Sequence, residues 1–106
     1  MNSRVEMNHE RTVELIREIV GLIAVCGGSR FRTDWLLEQQ SVLEEEQLDS
    51  QRRDEVLRAI HRHIPGMNGL VDQYLVPPLS SGYDKASANA RLAELCELLF
   101  NATSVE

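Results

Sequence analysis

The segment Thr12-Val13-Glu14-Leu15-Ile16-Arg17-Glu18-Ile19-Val20-Gly21-Leu22-Ile23-Ala24-Val25-Cys26 decides the fold class. Val13, Ile16, Ile19, Val20, Ile23 and Cys26 recur at spacings of three and four, the period of a helix face and not of a strand. Leu15 and Leu22 widen the apolar arc, so this helix is expected to be central. Glu10, Glu14 and Glu18 lie along another face, with Arg11 and Arg17 within reach for weak surface pairs. The pattern predicts a helix from about Asn8 to Cys26, closed by Gly27-Gly28.

Working outward, a short polar link, Ser29 to Arg32, leads to a second helix. Thr33 or Asp34 caps it, and it is expected to reach about Gln47, with Trp35, Leu36, Val42 and Leu43 on one face. Asp49 or Ser50 then caps a third helix, Gln51 to His63, whose core stripe is Val56, Leu57, Ile60 and Ile64. A short fourth helix is expected over Leu70 to Val76, stopped by Pro77-Pro78. After a loop with Ser80-Ser81-Gly82 as its flexible part, a fifth helix runs from Asp84 to about Phe100. Its stripe is Ala88, Leu92, Leu95, Cys96 and Leu99, while Ala86, Ala90 and Ala93 would let a neighbouring helix come close. Residues 1–7 and 101–106 are expected to fray.

These elements predict an all-α, single small domain of four to five helices in orthogonal or bundle-like packing, spanning residues 1–106. Helices one, three and five should form the centre, with helix two across it. At this length roughly 65% of the unfolded chain's surface is buried on folding, enough for one modest core.

Charge and composition exclude several classes. No apolar run reaches the roughly 18 residues that span a bilayer, and the N-terminus lacks the basic start and apolar core of a signal peptide. A cytoplasmic protein with no membrane partner is the expectation. Cys26 and Cys96 fall in apolar stripes outside any Cys-x-x-Cys pair and read as buried, reduced thiols. The net charge is −6, and it has an address. From Thr33 to Ser50 there are six acids (Asp34, Glu38, Glu44, Glu45, Glu46 and Asp49) and no Lys or Arg, while the other 11 acids balance the 11 bases. On a continuous helix Asp34, Glu38, Glu45 and Asp49 would gather into one ridge beside Trp35. Nucleic-acid binding by Arg52, Arg53, Arg58 and Arg62 of the third helix is opposed by that neighbouring negative segment.

Nothing in the chain supplies a nucleophile elbow, a His-Glu-x-x-His run or a phosphate-cradling loop. His61 and His63, two apart, point in directions about 160° apart on a helix, so they read as solvated or capping groups rather than metal ligands. No cofactor and no metal are expected.

The stretch Ile64-Pro65-Gly66-Met67-Asn68-Gly69-Leu70-Val71-Asp72 interrupts the helical pattern. Pro65 ends a helix, and Gly66, Asn68 and Gly69 tolerate the reversal, so Pro65, Gly66, Met67, Asn68 and Gly69 read as a structural corner. From Thr33 to Val76 the order is a Trp35-bearing helix, an acidic turn, an Arg-rich helix and this corner. That order resembles a group of small, functionally uncharacterised bacterial helical proteins with a Gly-Gly-Met-Gly-Ser-x-Asn-Asp-like corner. Gly66, Met67 and Asp72 match in kind; Pro65 and Asn68-Gly69 depart. The resemblance implies a bacterial, all-helical protein and assigns no catalytic residue.

The expected function is a non-enzymatic protein-interaction domain, with an inhibitor or immunity-like protein as one form of it. It would bind a basic protein through Asp34, Trp35, Glu38, Glu45 and Asp49. The alternatives are a small enzyme or metal protein using His61, His63 and Asp72, and a structural homodimer built on the broad apolar arc of helix one.

Overall fold

The structure is a computed structural model that describes residues 3–27, 30–64 and 74–104. Among these residues it contains four α-helices and no strand: α1 Ser3–Cys26, α2 Arg30–Leu43, α3 Ser50–His63 and α4 Lys85–Ala102. One 3-10 turn, Leu79–Ser81, precedes α4. The chain is all-α, with helices packed on one another around one connected core.

α1 starts at Ser3, five residues before the expected boundary. It stops where expected, at Gly27, whose φ of 78° is the left-handed conformation that ends a helix. Val13, Leu15, Ile16, Ile19, Leu22, Ile23 and Cys26 are all buried, and Val20 packs at their edge. Each such side chain contributes about 1.5–3 kcal/mol by leaving water, which is why the widest apolar arc takes the centre. α1 lies along α4 and against α2. Pairing of Glu18 with Arg91, and of Val25 with Tyr83 in one cleft, makes α1 and α4 antiparallel.

The expected centre of helices one, three and five is corrected here. α3 packs on α2 and more lightly on α4, and α2 is the direct neighbour of α1 on that side. Leu36 and Leu43 of α2 are buried as fully as the stripe of α1. α2 and α3 run antiparallel, because Trp35 near the start of α2 meets His63 at the end of α3.

α2 differs from its expected span at both ends. It begins at Arg30, so Thr33 is a buried helical residue and not a cap. It ends at Leu43, four residues early. Glu44 N–H still bonds to Gln40 O, but Glu45 N–H turns to Val42 O and Leu48 N–H to Glu45 O, a tightening and then a turn. Three successive glutamates stand at the negative end of the helix dipole with no base in the last turn, which opposes further winding. Breaking there also lets Leu48 fold back onto the core.

α3 is capped as expected: the Asp49 carboxylate accepts from Arg52 N–H at 2.7 Å. Val56, Leu57, Ile60 and Ile64 are buried. The expected fourth helix is not present in its described part, since residues 74–78 have no regular structure. Val76 and Pro77 each precede a proline, which excludes the helical region for both. In α4 the stripe Ala88, Leu92, Leu95, Cys96 and Leu99 is buried as expected. Ala86, Ala90 and Ala93 are exposed, so they admit no neighbouring helix; two positions from Ala88 on a helix is the opposite side. α4 continues to Ala102, and buried Thr103 closes it by donating its hydroxyl to Leu99 O at 2.8 Å.

Candidate functional site

The outward face of α2 carries Asp34, Leu37, Glu38 and Ser41, all exposed. Leu37 is 42% exposed, an apolar group between two unburied acids. The ridge expected along one helix does not exist as such. Because α2 ends at Leu43, Glu45, Glu46 and Asp49 are placed by the turn between α2 and α3. Asp49 spends its carboxylate on the first turn of α3. Glu44 is held by Arg17 of α1 at 3.1 Å and by Gln40 Nε2 at 2.7 Å. Asp34, Glu38, Glu45 and Glu46 form no ion pair with a described residue. Four of the six acids are therefore exposed and without an ion pair to a described residue, two on α2 and two at its end.

Trp35 lies at the rim of this face. It is half-buried, packed against the core, with its ring 4.3 Å from the His63 ring at a tilt of 30°. It occupies a place between a core anchor and an exposed contact residue.

The histidines are directed apart. His61 Nδ1–H donates to Phe100 O at 2.9 Å and lies 3.2 Å from Thr103 Oγ1, with its ring stacked 3.8 Å from that of Phe100. His63 Nδ1–H donates to Ala59 O at 2.8 Å. A carbonyl accepts only, so both rings carry their proton on Nδ1. His61 thus ties α3 to the end of α4, and His63 backs onto its own helix and Trp35. Asp72, the third member of the alternative site, and the corner Pro65, Gly66, Met67, Asn68 and Gly69 lie outside the described residues. Among the described residues no group of three or more His, Cys, Asp and Glu side chains comes together as a metal site would require.

Cys26 and Cys96 are buried free thiols. Burial raises both, Cys96 to about 11. Neither is suited to act as a nucleophile near neutral pH.

Two features escaped the sequence reading. An open cleft of about 410 Å³ runs between α1 and α4, with Leu22 and Leu95 on its floor and Arg17, Arg91 and Tyr83 on its walls. Gly21 borders it, and a methyl group there would meet nothing within 4 Å. The second is the path of Tyr74 to Leu79, held by Asn89. Leu75 N–H donates to Asn89 Oδ1 at 2.7 Å, while Asn89 Nδ2 donates to Leu75 O at 2.9 Å and to Lys85 O at 2.8 Å. The usable signals were Pro77-Pro78 and the amide of Asn89 next to the apolar stripe of α4.

No described helix is long and apolar enough to cross a membrane. Set against protein-family models, curated proteins and solved structures, the chain matches none.

Proposed function

We propose that the protein is a non-catalytic interaction domain whose acidic surface, Asp34, Glu38, Glu45 and Glu46 around Leu37 and Trp35, docks a basic protein. One observation carries this reading: those four carboxylates are exposed and unpaired among the described residues, while Arg11, Arg17, Arg52, Arg53 and Arg91 all have acidic partners elsewhere. Leaving like charges together costs stability through self-repulsion, so a surface that keeps them is suited to attracting an opposite charge. Leu37 supplies apolar area between Asp34 and Glu38, and the open edge of Trp35 adds to it at the rim. Asp49, part of the expected ridge, serves α3 instead, and Glu46 takes its place in the reading.

The test is capture of binding proteins from the source cells on the immobilised full chain, followed by association kinetics of the purified partner across ionic strength. Replacing Asp34, Glu38, Glu45 and Glu46 with Asn or Gln should leave the helical signal intact, slow association about tenfold or more at low salt, and flatten its salt dependence. An association rate indifferent to both the substitutions and salt removes the acidic surface from the reading.

A further inference from the structure

Tyr74-Leu75-Val76-Pro77-Pro78-Leu79 crosses the surface outside any helix until the turn that begins at Leu79. Its backbone shape follows from its residues. Each proline fixes φ near −65°, and each proline pushes the residue before it into the extended region. Pro78 shows the result, with φ −69° and ψ 156°, the polyproline-II conformation.

The segment is fastened into the core at Leu75. Leu75 is fully buried, and its N–H and C=O are both taken by the Asn89 side chain. Around that anchor the other large side chains face outward: Tyr74 is 65% exposed, Val76 63% and Leu79 103%. A Leu in full contact with water contributes nothing to this fold. The carbonyl of Pro77 accepts no hydrogen bond from a described residue, whereas that of Val76 lies against Gly27 and that of Pro78 is used by Ser81.

Three ways of recognising such a segment can be compared. Strand addition needs a run of N–H donors, which Pro77 and Pro78 lack and Leu75 has already spent. Helix-in-groove docking needs a helix, which the prolines forbid. Polyproline-II docking needs an extended backbone, an exposed proline and exposed apolar side chains, which Pro78, Val76 and Leu79 supply, with Pro77 half-buried beside them.

We propose that Tyr74–Leu79 is a preformed proline-rich ligand, bound by a partner domain whose groove is walled by Trp and Tyr side chains. Pro78 and Leu79, with the open edge of Pro77, fill the spaces between the partner's rings, and its indole N–H or phenol O–H groups donate to the carbonyl of Pro77. The Asn89 clamp holds the backbone in shape before binding, which lowers the ordering cost. This surface is separate from the acidic face of α2 and does not depend on its charge.

The test titrates the isotope-labelled full chain with purified polyproline-reading domains of the SH3, WW and EVH1 types, following amide shifts. The expected result is saturable binding by at least one of them, with shifts centred on Tyr74, Val76 and Leu79. Pro77→Ala with Pro78→Ala should weaken it about tenfold or more, and Leu79→Ser should do so independently with the thermal midpoint unchanged. Absence of shifts with every domain at millimolar concentration overturns the proposal. So does binding that ignores the proline and Leu79 variants. A concentration-dependent dimer that Leu79→Ser dissociates, with no domain bound, also overturns it and gives the segment to a second copy of the chain.

Discussion

Asn89 and Leu75 form a two-point bracket: the side-chain amide of one accepts from the N–H and donates to the C=O of the other, at 2.7 and 2.9 Å. The amide does for one residue what a neighbouring strand does for a whole segment. It lets the chain enter the core for a single side chain and leave again without stranding its backbone.

Asn89→Ala removes both partners from the Leu75 peptide and one from Lys85 O. The expected loss is about 1–3 kcal/mol, the cost of leaving partly buried groups unsatisfied. Denaturant unfolding checks the magnitude, and faster hydrogen exchange at the Leu75 amide checks the cause.

Leu75 and Leu79 should separate cleanly. Leu75, fully buried, should lose about 2–5 kcal/mol on substitution by Ala. Leu79, fully exposed, should change stability by less than about 0.5 kcal/mol. Equal effects would mean that Leu79 is covered in solution, and sedimentation at micromolar concentration would show whether a second copy covers it.

The caps of α3 and α4 can be tested separately, and that of α4 gives a pH signature. Asp49→Ala should cost about 1 kcal/mol by removing the acceptor for Arg52 N–H. At α4, Asp84 Oδ1 accepts from Ser87 N–H at 2.7 Å and Oδ2 from the Ser87 hydroxyl at 3.0 Å, and these bonds lower its pKa from 3.8. A carboxylate lowered on folding stabilises above its unfolded value, and that contribution is lost as pH falls through 3.8 and below. Asp84→Asn keeps an acceptor without the titration, so its acid unfolding curve should fall less steeply than the parent's.

Native protein should resist thiol reagents at pH 8, because both sulfurs are buried. With its pKa at about 11, Cys96 is ionised in only about one molecule per thousand there. Two thiols should react promptly in denaturant. The folded state holds the Cys96 proton more tightly than the unfolded chain, so stability should decline as pH rises from 9 towards 11, and Cys96→Ala should show a shallower decline, with the part owed to Cys26 remaining. Rapid native labelling of Cys96 would show that α4 opens readily.

The helices with long, periodic stripes were legible before any coordinates. Val13 to Cys26 and Ala88 to Leu99 repeat the helical period several times, so no alternative structure buries as much of them. The Asp49 cap was legible because an acid just before a periodic run has one favourable use. The acidic ridge is broken for a reason equally physical. Residues 44–46 carry no breaker, and their glutamates favour helix by propensity. Only the dipole at the end of α2 and the pull of Leu48 towards the core stop the winding at Leu43. Both depend on what lies around the segment.

Local pattern thus settled that the chain is helical, which faces are apolar, and where the surplus negative charge sits along it, because these depend on residues a few positions apart. Tertiary packing alone decided that α2 and not α3 lies beside α1, that His61 and His63 serve different neighbours, and that Asn89 captures Leu75 fourteen residues before it. Those outcomes come from burial competing among distant stripes and from polar groups finding partners across the core, and neither is written in any short window of sequence.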